Sequence, residues 1–173
     1  GVCDNFAAAA VHLGCEVVAL GSDSDDPLAE YDRASLASFG VRATWSRDHV
    51  GGAVVCYVLV DGDGRRSVIV RYPEDLVEVT RSVAGLLDAM PNERFDLAYW
   101  GVLNDRNVML LPRVRPKAMR LAATLEDSDW LSPQLHHLLA EFAWIFIADE
   151  SYEAHREEID RAQNAYGFDL LIT

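Results

Sequence analysis

Hydrophobic positions along the chain alternate between helical spacing and short apolar runs, which is typical of an α/β protein. Helices are predicted where apolar residues recur at intervals of three and four, over residues 6–13, 28–39, 76–90, 106–114, 132–141 and 150–166. Strands are predicted from short apolar runs between them, over residues 15–20, 95–102, 120–125, 143–148 and 168–172. This alternation predicts a doubly wound, mostly parallel sheet.

The middle of the chain has a different pattern. Strands are predicted over 41–46, 53–60 and 65–72, and the last two flank the sequence Asp-Gly-Asp-Gly at 61–64, which is typical of a tight hairpin turn. A small antiparallel sheet is therefore predicted as an insertion at 41–72, between core segments 1–40 and 73–173. Its Val, Ile and Tyr residues lie on both faces, so another surface is expected to cover one of them.

Composition limits the possible partners. The chain has 173 residues, of which 50% are hydrophobic and 25% charged, enough for one domain with a real core. The net charge of −13 disfavours nucleic acid and anionic membrane surfaces as partners.

No apolar run approaches the roughly 20 residues of a membrane span, and no signal segment opens the chain, so a cytoplasmic location is expected. Both ends are expected to be cut, because Gly1 replaces an initiator Met and Thr173 ends an apolar run.

Several common catalytic and metal-binding motifs are missing from the sequence. Cys3, Cys15 and Cys56 are widely spaced among apolar neighbours and indicate small buried residues in a reducing compartment, without a disulfide or zinc site. The sequence contains no G-x-S-x-G, H-E-x-x-H or C-x-x-C, and no phosphate-binding loop follows a strand. His136 and His137 are adjacent on a predicted helix and point about 100° apart, which disfavours a shared metal.

The order of the motifs is more informative than any one of them. A helix follows Gly1 to Asn5 and closes at Leu13-Gly14, and a turn from Gly21 to Asp26 leads into a helix that ends at Gly40-Val41. Val50-Gly51-Gly52-Ala53 and the Asp-x-x-Gly-x-Arg pattern of 61–66 mark the hairpin. This order resembles the N-terminal and central part of the ribokinase-like (PfkB-type) carbohydrate kinases. The sequence departs from that family's usual residues at Asp23, Ser24, Leu28, Ala29 and Val50.

The resemblance implies a sugar-binding side made of Gly1, Asn5, Arg71 and Gly101. A Gly admits close approach of a ligand to the backbone, and an Asn amide both donates to and accepts from hydroxyls. From local pattern alone, Asn5 could equally be the N-cap of its helix. Arg71 could pair with the carboxylate of a sugar acid, or be a solvated residue at a strand end.

The resemblance also implies a phosphate side that uses ATP and Mg2+ in the full-length protein. Glu126 lies where the family has an acidic residue near phosphate and metal. The family's N-x-x-E motif is altered, with Ala148 and Ser151 at its two fixed positions, so Glu150 beside Asp149 could take over the acidic role. The hairpin would belong to a lid that covers the sugar and often pairs two subunits, which implies a possible homodimer through that lid.

The catalytic motifs of the family are not within these 173 residues. Family members end with T-x-G-x-x-G and G-A-G-D, whose Asp is the general base and whose backbone N–H groups stabilise the transferred phosphoryl. Thr173 would be the Thr of the first motif, and the rest of it and the general-base Asp are expected beyond Thr173, so the chain alone is predicted to be inactive. The hypothesis is ATP-dependent phosphorylation of a hydroxyl on a small sugar or sugar acid by the parent protein. The alternatives are a nucleoside kinase, with Tyr57 and Tyr72 forming part of a base pocket, and a non-catalytic sugar-binding or regulatory relative.

Overall fold

The chain divides into two compact units, one formed by Phe6–Leu86 and the other by Gly1–Asn5 with Leu87–Thr173. A computed structural model describes residues 2–22, 24–46, 55–60, 62, 66–71, 76–90, 93–105, 107–125 and 133–173. Helix α1 (Val2–His12) contributes residues to both units. We describe each unit by itself.

The Phe6–Leu86 unit is built around a parallel pair of strands. Its further elements are β1 (Val18–Ser22), α2 (Pro27–Ser38), β2 (Arg42–Ser46), β3 (Val55–Val60), β4 (Arg66–Arg71) and most of α3 (Leu76–Asp88). β1 and β2 pair in parallel with Ser22 opposite Ser46. A small core of Ala7, Leu36 and Val41 is buried beside them. α1 and α2 are followed by Gly14 and Gly40, both with φ near +85°, a conformation that favours glycine.

The start of α1 corrects one interpretation. The helix begins at Val2, four residues earlier than predicted, so Asn5 lies inside its first turns and is not its N-cap. Asp4 lies in the first turn as well, where a negative side chain interacts favourably with the partial positive charge of the helix N-terminus. The side chain of Asn5 is exposed.

β3 and β4 form the predicted antiparallel hairpin, with Tyr57 opposite Ile69. Tyr57, Leu59 and Ile69 share one face of this ribbon, because side chains alternate along a strand, and each is more than half exposed. Residues 41–46, which the sequence assigned to the insertion, pair through β2 with β1 in parallel. The insertion boundaries at 41–72 remain a prediction.

The second unit contains a four-stranded parallel sheet in the order β5-β6-β7-β8. Its elements are β5 (Phe95–Trp100), α4 (Leu111–Val114), β6 (Ala118–Thr124), α5 (Pro133–His136), β7 (Trp144–Ile147), α6 (Asp149–Tyr166) and β8 (Asp169–Ile172). Short 3-10 turns at Val108–Leu110, Arg115–Lys117 and Leu139–Glu141 accompany α4 and α5. The predicted helices 106–114 and 132–141 are thus much shorter, and Pro112 and Pro116 help to break up the first of these regions.

The core of this unit lies on one face of the sheet. Leu121, Ala123, Ile145 and Ile147 are buried there together with Ile159 of α6. Connections between neighbouring parallel strands are almost always right-handed, which favours connecting helices on one face of such a sheet. The other face carries buried Ala122 and half-buried side chains, described below. Parallel strands with connecting helices, and an antiparallel hairpin, confirm the predicted α/β class.

Among the described residues, no helix combines the length and the apolar character needed to cross a membrane.

Candidate functional site

The carboxyl ends of β5, β6, β7 and β8 meet at one edge of the sheet, the usual place for ligands in open α/β folds. Backbone hydrogen bonds continue beyond the strands at this edge. The N–H of Leu103 donates to the carbonyl of Thr124 at 3.0 Å, and that of Leu125 to the carbonyl of Phe146 at 3.0 Å. The N–H of Thr173 donates to the carbonyl of Ile147 at 2.9 Å. These bonds hold the edge in a defined geometry.

Gly101 lies directly after β5 and is buried. A Cβ atom built on Gly101 would lie 2.2 Å from Sγ of Cys3, so the first turn of α1 packs against the end of β5. Burial raises the pKa of the Cys3 thiol, the carboxylate of Asp4 adds to the rise, and the backbone N–H of Gly101 opposes it. The structure therefore brings the helix turn that carries Asn5 to the strand end that carries Gly101. Gly1 lies outside the described residues.

A hydroxyl pair that the sequence did not reveal lies on the half-buried face at this edge. The hydroxyl of Tyr99 in β5 and Oγ1 of Thr124 in β6 are 2.7 Å apart. The Tyr99 ring packs edge-on against Phe146 of β7, with ring centroids 5.8 Å apart. Burial raises the pKa of Tyr99, and the hydrogen bond to Thr124 partly opposes this. The pairing of β5 with β6 creates this contact, and no local motif signals it.

The loop that follows Gly101 is fixed by two asparagines. The backbone N–H of Asn104 donates to Oδ1 of Asn107 at 3.0 Å, and the N–H of Asn107 donates to Oδ1 of Asn104 at 3.1 Å. Nδ2 of Asn107 donates to the carbonyl of Val102 at 2.7 Å. Side-chain bonds of this kind stabilise turns, so the segment after β5 is well anchored.

The predicted phosphate side lies at the start of α6. Glu150 is exposed in the first turn, after Ala148 at the end of β7. Ser151 has a hydroxyl in place of the family's carboxylate, and it is buried. Glu126 lies outside the described residues.

The described residues contain no group of three or more His, Cys, Asp or Glu side chains that could hold a metal ion. Mg2+ bound through substrate phosphates needs only one or two carboxylates, and an exposed Glu150 is compatible with that.

Arg71 ends β4, where its backbone lies opposite Val55 in the Phe6–Leu86 unit. Its contact with a sugar carboxylate remains a prediction. Tyr57, named in the nucleoside hypothesis, is exposed on β3. Tyr72 lies outside the described residues.

These two units have the fold of the ribokinase-like carbohydrate kinases, which confirms the resemblance at the level of fold. A putative ribokinase II from E. coli is similar with a TM-score of 0.72 and 12% identity, covering 100% of this chain and 61% of that one. A fructokinase from Vibrio cholerae O395 is similar with a TM-score of 0.67 and 14% identity. The match covers 100% of this chain and 65% of the fructokinase. Ribokinase from Arabidopsis thaliana, complexed with ribose and ATP, is similar with a TM-score of 0.63 and 14% identity. The match covers 99% of this chain and 59% of that ribokinase.

The chain thus spans less than two thirds of the length of these solved structures. No protein-family model and no curated protein matches the sequence. At such low identity, the solved structures show the fold alone.

Proposed function

We propose that the protein to which this chain belongs transfers a phosphoryl group from ATP to a hydroxyl of a small sugar or sugar acid. The observation that carries this proposal is the likeness of nearly the whole chain to ribokinase and fructokinase structures, one of which holds ribose and ATP. The order of sequence motifs supports the same assignment independently. The proposal concerns the whole protein, with the general base outside these 173 residues.

The proposed sugar side consists of Gly1, Asn5 and Gly101, with Arg71 added for a carboxylate-bearing substrate. The exposed side chain of Asn5 is free to donate to and accept from sugar hydroxyls. Its helix turn lies against the strand end at Gly101, which places the two segments at a common edge. Arg71 would form a charge-assisted, bidentate pair with a sugar acid.

The proposed phosphate side consists of Glu126 and Glu150. Their carboxylates would hold Mg2+, which would neutralise the charge on the phosphates of ATP when bound. Glu150 lies in the first turn of α6 at the carboxyl edge of the sheet, in line with this role. We place the protein in the cytoplasm, with a small-molecule substrate and without nucleic acid or membrane partners.

We further propose that β3 and β4 form part of a lid through which two subunits pair. The exposed apolar face of Tyr57, Leu59 and Ile69 supports this, because an apolar ribbon face of this kind calls for a covering surface.

A second candidate is a non-catalytic sugar-binding relative. The altered N-x-x-E motif favours this non-catalytic relative. Its two fixed positions hold Ala148 and buried Ser151, and neither side chain can bind a metal-phosphate complex as the motif's Asn and Glu do.

The test begins with the reading frame past Thr173. A frame that continues into T-x-G-x-x-G and G-A-G-D supports the kinase. The complete gene product is then assayed for ADP release with neutral sugars, sugar acids and nucleosides. Sugar-dependent ADP release is expected, and nucleoside-dependent release would favour the nucleoside kinase. Sugar binding by calorimetry without ADP release would identify the non-catalytic relative.

Variants then test the sugar side. Asn5→Ala is expected to raise KM about tenfold, the equivalent of about 1.4 kcal/mol of lost hydrogen bonding. Asn164→Ala, at an exposed position of α6, is the matched control and should leave KM unchanged. An unchanged KM in Asn5→Ala would remove Asn5 from the binding site. Arg71→Ala should weaken only a carboxylate-bearing substrate.

A further inference from the structure

We propose that Thr124 contacts the bound sugar through its side-chain hydroxyl, and that Tyr99 is a positioning residue that orients this hydroxyl. In this arrangement the hydroxyl of Tyr99 donates to Oγ1 of Thr124, 2.7 Å away, and Thr124 gives its own proton to a hydroxyl oxygen of the sugar. The proposal rests on the proposed function and adds two residues to its sugar side. No motif in the sequence indicates either of them.

The side chain of Tyr99 leans toward the carboxyl edge of the sheet. The backbone of Tyr99 pairs with Ala122, yet its hydroxyl bonds Thr124, which is two residues further along β6. Two residues of a strand correspond to about 7 Å, so the hydroxyl lies well beyond its own Cα in the direction of the edge. Gly101 is also two residues beyond Tyr99 and directly follows β5. The hydroxyl pair therefore lies at the strand end where the proposed sugar side begins.

The first turn of α1 lies on the same face of the sheet as the hydroxyl pair. A Cβ atom on Gly101 would point at Sγ of Cys3, and residues two apart on a strand share a face, so Cys3 lies on the face of Tyr99. The pKa of Tyr99 agrees with this: burial is the main cause of its rise, and the charge of the Cys3 thiol adds to it. Asn5 belongs to the same turns of α1, and its side chain is exposed. Asn5 and Thr124 are therefore placed to serve one ligand.

The position of Thr124 is well determined by its surroundings. Its backbone pairs with Phe146 of β7, and its carbonyl accepts the N–H of Leu103 at 3.0 Å. A β-branched side chain has few χ1 conformations, so the direction of Oγ1 is restricted as well. The side chain is half-buried, and Ala122 and Phe146 are its apolar neighbours on this face. A hydroxyl has one proton and two lone pairs, so a Thr124 that accepts from Tyr99 can still donate to a ligand.

A purely structural pair and a ligand-binding pair predict different results. If the two hydroxyls only join β5 to β6, their loss lowers stability and affects the binding of every sugar analogue alike. If Thr124 contacts one hydroxyl of the sugar, its loss affects binding only when that hydroxyl is present. Sugar analogues that each lack a single hydroxyl separate these two possibilities.

The experiment uses the complete gene product as wild type, Thr124→Val, Thr124→Ser and Tyr99→Phe. The probes are the neutral sugar or sugar acid that the wild type phosphorylates with the highest kcat/KM, and its monodeoxy analogues. Thr124→Val should raise KM about tenfold with little change in kcat, because the lost hydrogen bond is present in the ground state and the transition state alike. Thr124→Ser keeps the hydroxyl and should restore KM to within about threefold of wild type. Tyr99→Phe should raise KM several-fold.

Tyr166→Phe is the control for the loss of a tyrosine hydroxyl. Tyr166 is half-buried like Tyr99 and lies at the last residue of α6, so its substitution should leave KM unchanged.

The dissociation constants of the analogues, measured by calorimetry without ATP, decide the proposal. For one monodeoxy analogue, wild type and Thr124→Val should bind with equal affinity, whereas the other analogues should retain the roughly tenfold difference. A difference that persists with every analogue, or an unchanged KM in Thr124→Val, overturns the proposal. If Thr124→Val does not fold, the same comparison is made with Tyr99→Phe, where loss of the affinity difference with one analogue supports the proposal and its persistence with all of them overturns it.

Failure of the proposed function gives a different result. A wild type that neither binds nor phosphorylates any sugar refutes the proposed function and the Thr124 contact together. Sugar turnover that Thr124→Val leaves unchanged refutes the contact alone.

Discussion

Replacing Tyr99 by Phe removes the hydroxyl that lies 2.7 Å from Oγ1 of Thr124 and keeps the ring that packs edge-on against Phe146. The ring stays in place, so the change removes the hydrogen bond to Thr124 without creating a cavity. Such a bond contributes about 0.5–1.5 kcal/mol net, and we expect a loss near 1 kcal/mol in the free energy of unfolding. Thr124→Val, which leaves the hydroxyl of Tyr99 without this partner, should cost a similar amount.

The double variant, Tyr99→Phe with Thr124→Val, measures the interaction between the two hydroxyls. With both hydroxyls removed, neither side is left with an unsatisfied group, so the combined loss should fall short of the sum by about 1 kcal/mol. The assay is urea unfolding of the complete gene product, followed by tryptophan fluorescence. Trp100 and Trp144 lie in the same sheet and report on it. Thr124→Ser retains the hydroxyl and is the control. Strict additivity, with a coupling energy below about 0.3 kcal/mol, would refute the reasoning.

The same pair predicts a dependence on pH. The pKa of Tyr99 is raised by burial above its ordinary value near 10, so the folded state holds its proton where the unfolded state has lost it. Stability is then fully present below pH 10 and declines as pH rises from there through the folded-state pKa. Tyr99→Phe should flatten this decline, whereas Thr124→Ser should not. Equal slopes for wild type and Tyr99→Phe would contradict the assignment.

Two further predictions concern the Phe6–Leu86 unit. As the N-cap of α2, Asp26 accepts a hydrogen bond at Oδ1 from the backbone N–H of Leu28 at 2.8 Å. Asp26→Ala should therefore lower the free energy of unfolding in urea by about 1 kcal/mol, and the control Asp25→Ala by much less. Equal losses would exclude the capping role. Leu59→Glu places a charge on the exposed ribbon face and should convert a dimer to monomers in sedimentation velocity, whereas Met119→Glu in β6 should not. A wild-type monomer, or a dimer that Leu59→Glu leaves intact, would argue against pairing through the lid.

The sequence was informative wherever the signal is local. The spacing of apolar residues predicted α2 and α3, and the Asp-Gly-Asp-Gly turn predicted the pairing of β3 with β4. Gly14 and Gly40 marked helix ends because they adopt positive φ there. Local patterns failed at the start of α1, where Asn5 was open to interpretation as an N-cap, and after β5, where short turns replace a longer helix.

The composition and order of local elements were therefore determined by the sequence itself, and they are sufficient for the α/β class and for the resemblance to sugar kinases. The tertiary structure alone decided which side chains meet. The register of β5 on β6 joins Tyr99 to Thr124, and the packing of α1 on the end of β5 brings Cys3 next to Gly101. The physical reason is that helix periodicity, caps and turns act over a few residues, whereas these contacts join segments 25 to almost 100 residues apart, which no local pattern encodes.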